Sequence, residues 1–257
     1  MITAYYRPKT LQEAFDLLAN QMITTIPLGG GTAINRLSTK SIAVVDLQDL
    51  GLNGIRKRGH LLDLGATVTL QALLDSPEMP EACKEVIRAE ASHNLRQVAT
   101  LAGTLVAADG RSPLATAMLA LDSTITIYPG KEGREQEIID LGDLLPFREE
   151  YLSGRLITQV TIPLNARIAY QSVSRTPADR PIVCAAVVSW RSGRSRVTLG
   201  GFGQAPLLVM DGPEMGGEVV AAQNSFSQAG DEWASAEYRQ EMAGILVKRC
   251  VESIQGD

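Results

Sequence analysis

Cysteine and histidine are scarce in this chain, with three of the first and two of the second among 257 residues. Cys83, Cys184 and Cys250 lie far apart and form no CxxC pair, so they read as buried free thiols rather than a disulfide framework or cluster ligands. His60 and His93 belong to no ligand-spaced group. A metal centre built by this chain alone is therefore not expected, because zinc and iron sites draw on several such ligands at once. There is no GxSxG elbow and no Ser/His/Asp order, which leaves a hydrolytic nucleophile without support. Met1 to Thr10 contain no apolar run of signal-peptide length, and no segment reaches the ~18 apolar residues needed to span a bilayer. Positive charge is also short: 24 Lys and Arg against 29 Asp and Glu leave a net charge of -5, which argues against a nucleic-acid binder. The expectation is a cytoplasmic protein whose chemistry, where it has any, belongs to a bound cofactor.

What the chain does contain is a hydrophobic content of 45% with 21% charged residues, the balance of an ordinary globular protein with room for one large or two moderate domains. Its most informative stretch is Pro27-Leu28-Gly29-Gly30-Gly31-Thr32-Ala33-Ile34, three glycines and a hydroxyl set between an apolar approach and an apolar exit. Glycine lets a backbone turn tightly and approach a ligand closely. Successive amides in such a turn form a concave nest for an anion, typically a phosphate or pyrophosphate. Two readings stand on local grounds, a phosphate nest or a plain glycine-rich linker, since the run matches neither the Walker pattern nor GxGxxG.

In chain order, Thr10-Leu11-Gln12-Glu13 is a capping box opening a short amphipathic helix over 11–20. Ile23 to Leu28 and Ser41 to Leu47 are strand candidates flanking the glycine turn, the position where α/β sheets bind ligands. Strands follow at Ile55 to Arg58 and Leu61 to Ala66, with His60 in the turn between them. Thr69 caps a helix from Leu70, and a longer helix is expected from about Pro80 to Leu95, with His93 near its end. Thr100 to Val106 reads as a second small-residue turn, either a further set of amide donors or a tight helix-packing turn. The polar turn Ala107 to Pro113 leads to an apolar helix over Leu114 to Leu121. Asp122 to Tyr128, closed by Pro129-Gly130, Ile138 to Leu144 and Gly154 to Pro163 complete the first part. From about Ala166 the character changes: Ile182 to Trp190 and Ser195 to Gly201 form a hairpin through Ser192-Gly193, and a last helix starts at Ser235. Pro206 to Gln228 carries no clear signal. These elements suggest a domain boundary near residue 165 and a smaller three-stranded sheet with helices beyond it.

The order of several short words resembles the FAD-binding, or medium, subunit of molybdenum hydroxylases of the xanthine dehydrogenase and carbon monoxide dehydrogenase type. The words are Arg7-Pro8, Leu28-Gly29-Gly30-Gly31-Thr32, Val45-Asp46-Leu47, Leu64-Gly65-Ala66 with Val68-Thr69, Leu119-Ala120-Leu121-Asp122, Ile162-Pro163, Arg175 with Asp179, Leu199-Gly200-Gly201 and Ser235-Ala236-Glu237-Tyr238-Arg239. The resemblance implies an α+β fold: a two-subdomain FAD-binding domain over 1–165, with subdomains of about 1–54 and 55–165, then a smaller α+β domain over 166–257. It implies FAD with its pyrophosphate on Pro27, Leu28, Gly29, Gly30, Gly31, Thr32, Ala33 and Ile34. A second flavin motif would fall on Thr100, Leu101, Ala102, Gly103 and Thr104, and an apolar flavin contact on Ile157. It further implies an oxidoreductase subunit in a heteromeric complex. A 2Fe-2S subunit and a molybdopterin subunit would be its partners, and NAD+, oxygen or another acceptor would receive electrons from reduced flavin. The iron-sulfur ligands would then come from a partner, consistent with the few cysteines here.

The chain also departs from that pattern. Ala102-Gly103-Thr104 stands where two glycines and an asparagine are common. Pro113 takes a usual aspartate position, for which Asp109 is a candidate replacement, and Ser172 takes that of a lysine near the flavin ring. These departures motivate an alternative, a flavin-less scaffold or assembly subunit of the same complex. A stand-alone flavin reductase or oxidase is a third reading, for which no acid/base pair beside the loops speaks.

Overall fold

The computed structural model describes residues 1–19, 23–34, 41–128, 136–213 and 215–256. Its elements in chain order are β1 (Ile2–Tyr6), α1 (Leu11–Leu18), β2 (Thr25–Leu28), β3 (Ile42–Asp46), β4 (Ile55–Arg58), β5 (Leu61–Gly65), α2 (Leu70–Asp75), α3 (Glu81–Glu90), α4 (His93–Arg96), α5 (Leu101–Ala107) and α6 (Pro113–Ala120). They continue with β6 (Thr124–Tyr128), β7 (Glu137–Asp140), α7 (Leu141–Tyr151), β8 (Leu156–Pro163), β9 (Ala166–Val173), β10 (Val183–Trp190), β11 (Ser195–Gly200), β12 (Leu207–Gly212), α8 (Glu218–Ser225) and α9 (Ala236–Gly256). The expected Pro129-Gly130 turn lies outside the described residues.

The backbone divides into two compact units, one of Met1–Ser76, His93–Ala107 and Thr124–Thr161, the other of Pro77–Ser92, Ala108–Ser123 and Ile162–Asp257. In the first, β1, β3 and β2 form a three-stranded parallel sheet in that order, and β4-β5-β8-β6-β7 a five-stranded sheet. Helix α1 starts where the capping box places it. The Thr10 hydroxyl accepts from the Glu13 amide at 3.2 Å, while the Glu13 carboxylate reaches back to the Lys9 amide at 3.0 Å. Its apolar face, Ala14 and Leu18, packs with Val45, Leu47 and Leu156, and Phe15 meets Tyr128 edge to face, so the helix ties the two sheets together.

The second unit is built on the antiparallel sheet β12-β11-β10-β9. Successive side chains of a strand point to opposite faces. Val183, Ala185 and Val187 of β10 join a core with Leu246, Val247 and Cys250 of α9, and Cys184 on the opposite face meets the Thr116 hydroxyl of α6 at 3.6 Å. Covering on both faces explains why β10 reads as a continuous apolar run. It also explains α6, whose eight residues are all buried and which has no polar face to turn to water.

Four local expectations are corrected. The C-terminal sheet has four strands rather than three. Strand β9 escaped notice because Arg167, Gln171 and other polar residues interrupt it, leaving only Ala169 and Tyr170 buried in mid-strand. The helix expected to reach Leu95 stops at Glu90, where Ala91 turns extended (φ -150°, ψ 148°), and His93 opens the separate α4. Residues 101–107 form a helix rather than a turn. The strand expected over Ile138 to Leu144 ends at Asp140, and Leu141 already opens helix α7, whose signal is weakened by Pro146 and which kinks at Phe147.

All three cysteines are free and buried, as expected. Burial pushes the Cys83 thiol up to about 12, leaving almost no thiolate at neutral pH. Native protein at pH 8 should therefore resist a thiol-alkylating reagent over the time in which denatured protein takes up three equivalents, as counted by intact-mass spectrometry.

Candidate functional site

Strand β2 is an edge strand, which tolerates Pro27, and it delivers the chain to the glycines through a last ladder bond from the Leu47 amide to the Leu28 carbonyl at 3.1 Å. Gly31 then adopts φ +73°, a left-handed conformation that favours glycine. The other two glycines serve close packing. A Cβ on Gly30 would coincide with the Val98 carbonyl oxygen, and one on Gly29 would strike the Thr100 side chain. The loop thus lies directly on the 98–100 segment. Among the described residues, the amides of Gly29, Gly30, Gly31 and Thr32 donate to no backbone carbonyl. They are a donor set without internal acceptors, the chemistry an anion nest requires.

The second segment is built differently. The Leu101 amide donates to the Val68 carbonyl at 2.9 Å and the Ala102 amide to the Ala66 carbonyl at 3.1 Å. The Thr100 side-chain oxygen accepts from the Gly103 amide at 3.3 Å, and the Thr104 hydroxyl donates to the Thr100 carbonyl at 2.8 Å. These amides are spent on fastening α5 to the Ala66–Val68 segment. Of the two readings open from sequence, close packing describes this segment better than a second donor set, although the packed element is the helix α5 rather than a turn.

Both segments line one cavity of about 500 Å³, within the range of small-molecule sites, and all of its lining residues belong to the first unit. Gly29 to Ile34, with Pro27, form one part of the wall. Thr100, Ala102 and Gly103 form another, continued by Val106 and Ala107, and Leu156 and Ile157 line it from the start of β8. Leu28, Leu101 and Thr104 are not in the lining: Leu101 is fully buried in the core, and Thr104 has turned its hydroxyl to its own helix.

Several lining residues were not anticipated from sequence. Arg148 and Arg155 come from α7 and the turn after it. Arg148 donates to the Val106 carbonyl at 3.0 Å and the Leu145 carbonyl at 2.7 Å, tying α7 to the end of α5. Arg155 pairs with Glu137 at 3.0 Å and stacks over Tyr151, whose phenol also hydrogen-bonds Glu137 and is thereby held above its ordinary pKa. Ala66 and Thr67 also line the cavity. No short motif announces such residues, because they reach the wall through tertiary contacts.

Asp109 lies elsewhere. It belongs to the second unit, where both its carboxylate oxygens accept from the Arg180 guanidinium at 2.7 Å and one also accepts from the Arg111 amide at 2.8 Å. Neither histidine lines the cavity. His60 is in the β4–β5 turn, and His93 is on α4 beside Gln97. Among the described residues no group of three or more His, Cys, Asp or Glu is placed to hold a metal ion, and no helix is long and apolar enough to cross a membrane.

A sequence model of the family described as "FAD binding domain in molybdopterin dehydrogenase" matches residues 1–165. The carbon monoxide dehydrogenase medium chain of Afipia carboxidovorans is 29% identical over 279 residues, spanning 96% of this chain and 95% of its own. Escherichia coli (strain K12) YgfM, described as uncharacterized, is 28% identical over 258 residues, spanning 96% and 94%. Among solved structures, reconstituted CO dehydrogenase from Oligotropha carboxidovorans superimposes with a TM-score of 0.82 at 28% identity, covering 97% of this chain and 96% of that one.

Proposed function

Because the chain belongs to the family of FAD-binding domains of molybdopterin dehydrogenases, we propose that it works as the flavin-carrying electron-transfer subunit of a molybdenum-containing dehydrogenase complex. In that role it takes electrons from a 2Fe-2S partner and passes them to NAD+, oxygen or another acceptor, while a molybdopterin partner oxidises the substrate. The flavin-binding part is residues 1–165, with subdomains of about 1–54 and 55–165.

The observation that carries this reading is the pairing of four amides without internal acceptors with a cavity of suitable size. Those amides, on Gly29 to Thr32, can hold the diphosphate without a lysine or arginine in the loop itself. Gly31 sets the turn, and Gly29 and Gly30 allow the loop to rest on Val98 and Thr100. Ile157, only 5% exposed, and Leu156 give an apolar surface that excludes water from a flavin lying against it. Bound FAD supplies the conversion between single-electron and paired-electron transfer, and the protein positions and tunes it.

Titrating FAD into purified protein should give a yellow complex with quenched flavin fluorescence and a stoichiometry of one. The engaged amides at Leu101 and Ala102 favour the flavin-less scaffold reading to the extent that they offer a ligand nothing. Absence of binding even with the partner subunits present would overturn the flavin reading and favour that alternative.

A further inference from the structure

Thr67 has no role in the fold that accounts for its hydroxyl. It lies between β5 and α2, where the backbone is fastened on both sides. The Gly65 amide donates to Gly54 at 2.8 Å, Ala66 to Thr158 at 3.0 Å and Thr67 to Leu52 at 2.9 Å. The carbonyls of Ala66 and Val68 receive the amides of Ala102 and Leu101, and the neighbouring Thr69 uses its hydroxyl to cap α2 through the Ala72 amide at 3.1 Å. The Thr67 side-chain oxygen is buried without a hydrogen-bond partner among the described residues, in a residue 8% exposed that lines the large cavity. Buried hydroxyls are almost always paired, because leaving one unpaired forfeits its hydration with nothing in return. Valine would fill the same space with no polar atom to satisfy. A threonine here is therefore accounted for by a partner that arrives with the ligand.

We propose that the Thr67 hydroxyl hydrogen-bonds a polar atom of the dinucleotide in this cavity, adding a side-chain contact to the main-chain nest. The inference rests on the reading that FAD occupies the cavity. The staggered wells of threonine χ1 interchange the hydroxyl and the methyl. Rotation about χ1 re-aims the hydroxyl without moving the fastened backbone. Because the hydroxyl both donates and accepts, it can pair with a ribityl or ribose hydroxyl or with a ring nitrogen or carbonyl.

The test compares wild type with Thr67→Val and Thr67→Ser, measuring affinity for FAD, riboflavin and ADP by calorimetry and the melting temperature of each protein without ligand. We expect Thr67→Val to bind FAD about tenfold more weakly, as loss of one net hydrogen bond implies, and to melt at the same or a higher temperature when empty. Thr67→Ser should retain wild-type affinity. A loss shared with riboflavin places the contact on the flavin half, and one shared with ADP places it on the adenylate half. Unchanged FAD affinity in Thr67→Val, or a lower melting temperature of its empty form, overturns the inference while leaving the flavin reading intact. Failure of wild type to bind FAD overturns both.

Discussion

Replacement of Gly30 by alanine should weaken flavin binding severely, although it adds a single methyl group. That methyl would occupy the position of the Val98 carbonyl oxygen, a main-chain atom that cannot swing aside as a side chain would. The amides of Val98 and Ala99 both bond to the Leu95 carbonyl, so the obstructing segment is itself anchored. Relief requires the glycine loop to lift away, which misplaces the amides of Gly29, Gly31 and Thr32 together. We expect FAD affinity to fall by roughly 100-fold or more, equivalent to about 2.7 kcal/mol. Stability should fall by ~4 kcal/mol or more, the size reserved for severe steric or core defects. Two companions calibrate the result. Gly31→Ala meets only the Leu28 side chain at 3.3 Å but must hold φ +73°, so it should cost about 1–2 kcal/mol. Gly54→Ala finds nothing within 4 Å and should be close to neutral. Flavin-fluorescence titration and urea denaturation of the three variants measure this order. Equal behaviour of Gly30→Ala and Gly54→Ala would show that the packing of the loop on Val98 does not hold the site.

That prediction also marks the limit of sequence reading. The glycine run announced a tight turn and an anion nest from its composition, and Gly31 supplies that turn. Nothing in the sequence said that Gly29 and Gly30 are small because residues 98–100 lie against them, since that contact joins positions about seventy apart. The second segment shows the converse. Thr100-Leu101-Ala102-Gly103-Thr104 resembles a flavin word and does reach the cavity, yet its first amides are taken by carbonyls at 66 and 68, contacts that only the folded chain reveals. Strand β10 was readable because a strand buried on both faces is a continuous apolar run, over Val183 to Val188, and β11 from Val197 and Leu199 just beyond the Ser192-Gly193 turn. Strand β9 and helix α7 were not, because one is interrupted by polar residues and the other by a proline. Arg148, Arg155 and Thr67 carry no local signature, and the fold alone brings them to the wall.

Arg239 should prove the most sensitive charged residue in the second unit. It is wholly buried, and its guanidinium donates to the carbonyls of Ile182 at 3.2 Å and Ala229 at 2.6 Å and to both carboxylate oxygens of Asp231 at 2.8 and 3.0 Å. The side chain thus ties Ile182, just before β10, and the turn before α9 to the helix that carries it. Arg239→Met keeps much of the volume but leaves two carbonyls and a carboxylate without their donor, for which we expect a loss of ~3–5 kcal/mol. Arg239→Lys retains the charge but not the planar fork and should recover only part of that. Burial pushes the Asp231 carboxyl up, but the Arg239 hydrogen bond and the Trp233 and Ala234 amides outweigh this and hold it below the usual carboxylate range. A carboxyl whose folded pKa is lowered contributes stability that is present above its unfolded pKa, about 3.9 for aspartate, and is lost as pH falls through the lower folded value. Wild type should therefore lose stability in acid below about pH 4, and Asp231→Asn should flatten that part of the profile while lowering stability at neutral pH. Urea midpoints from pH 3 to pH 7 test both statements, and an acid limb as steep in Asp231→Asn as in wild type would remove Asp231 from the account. The word Ser235-Ala236-Glu237-Tyr238-Arg239 was recognisable as a word. Its arginine counts because a cation with no access to water must have its donors answered from within the protein, and here the acceptors come from two separate parts of the unit, Ile182 just before β10 and residues 229–231 in the turn before α9.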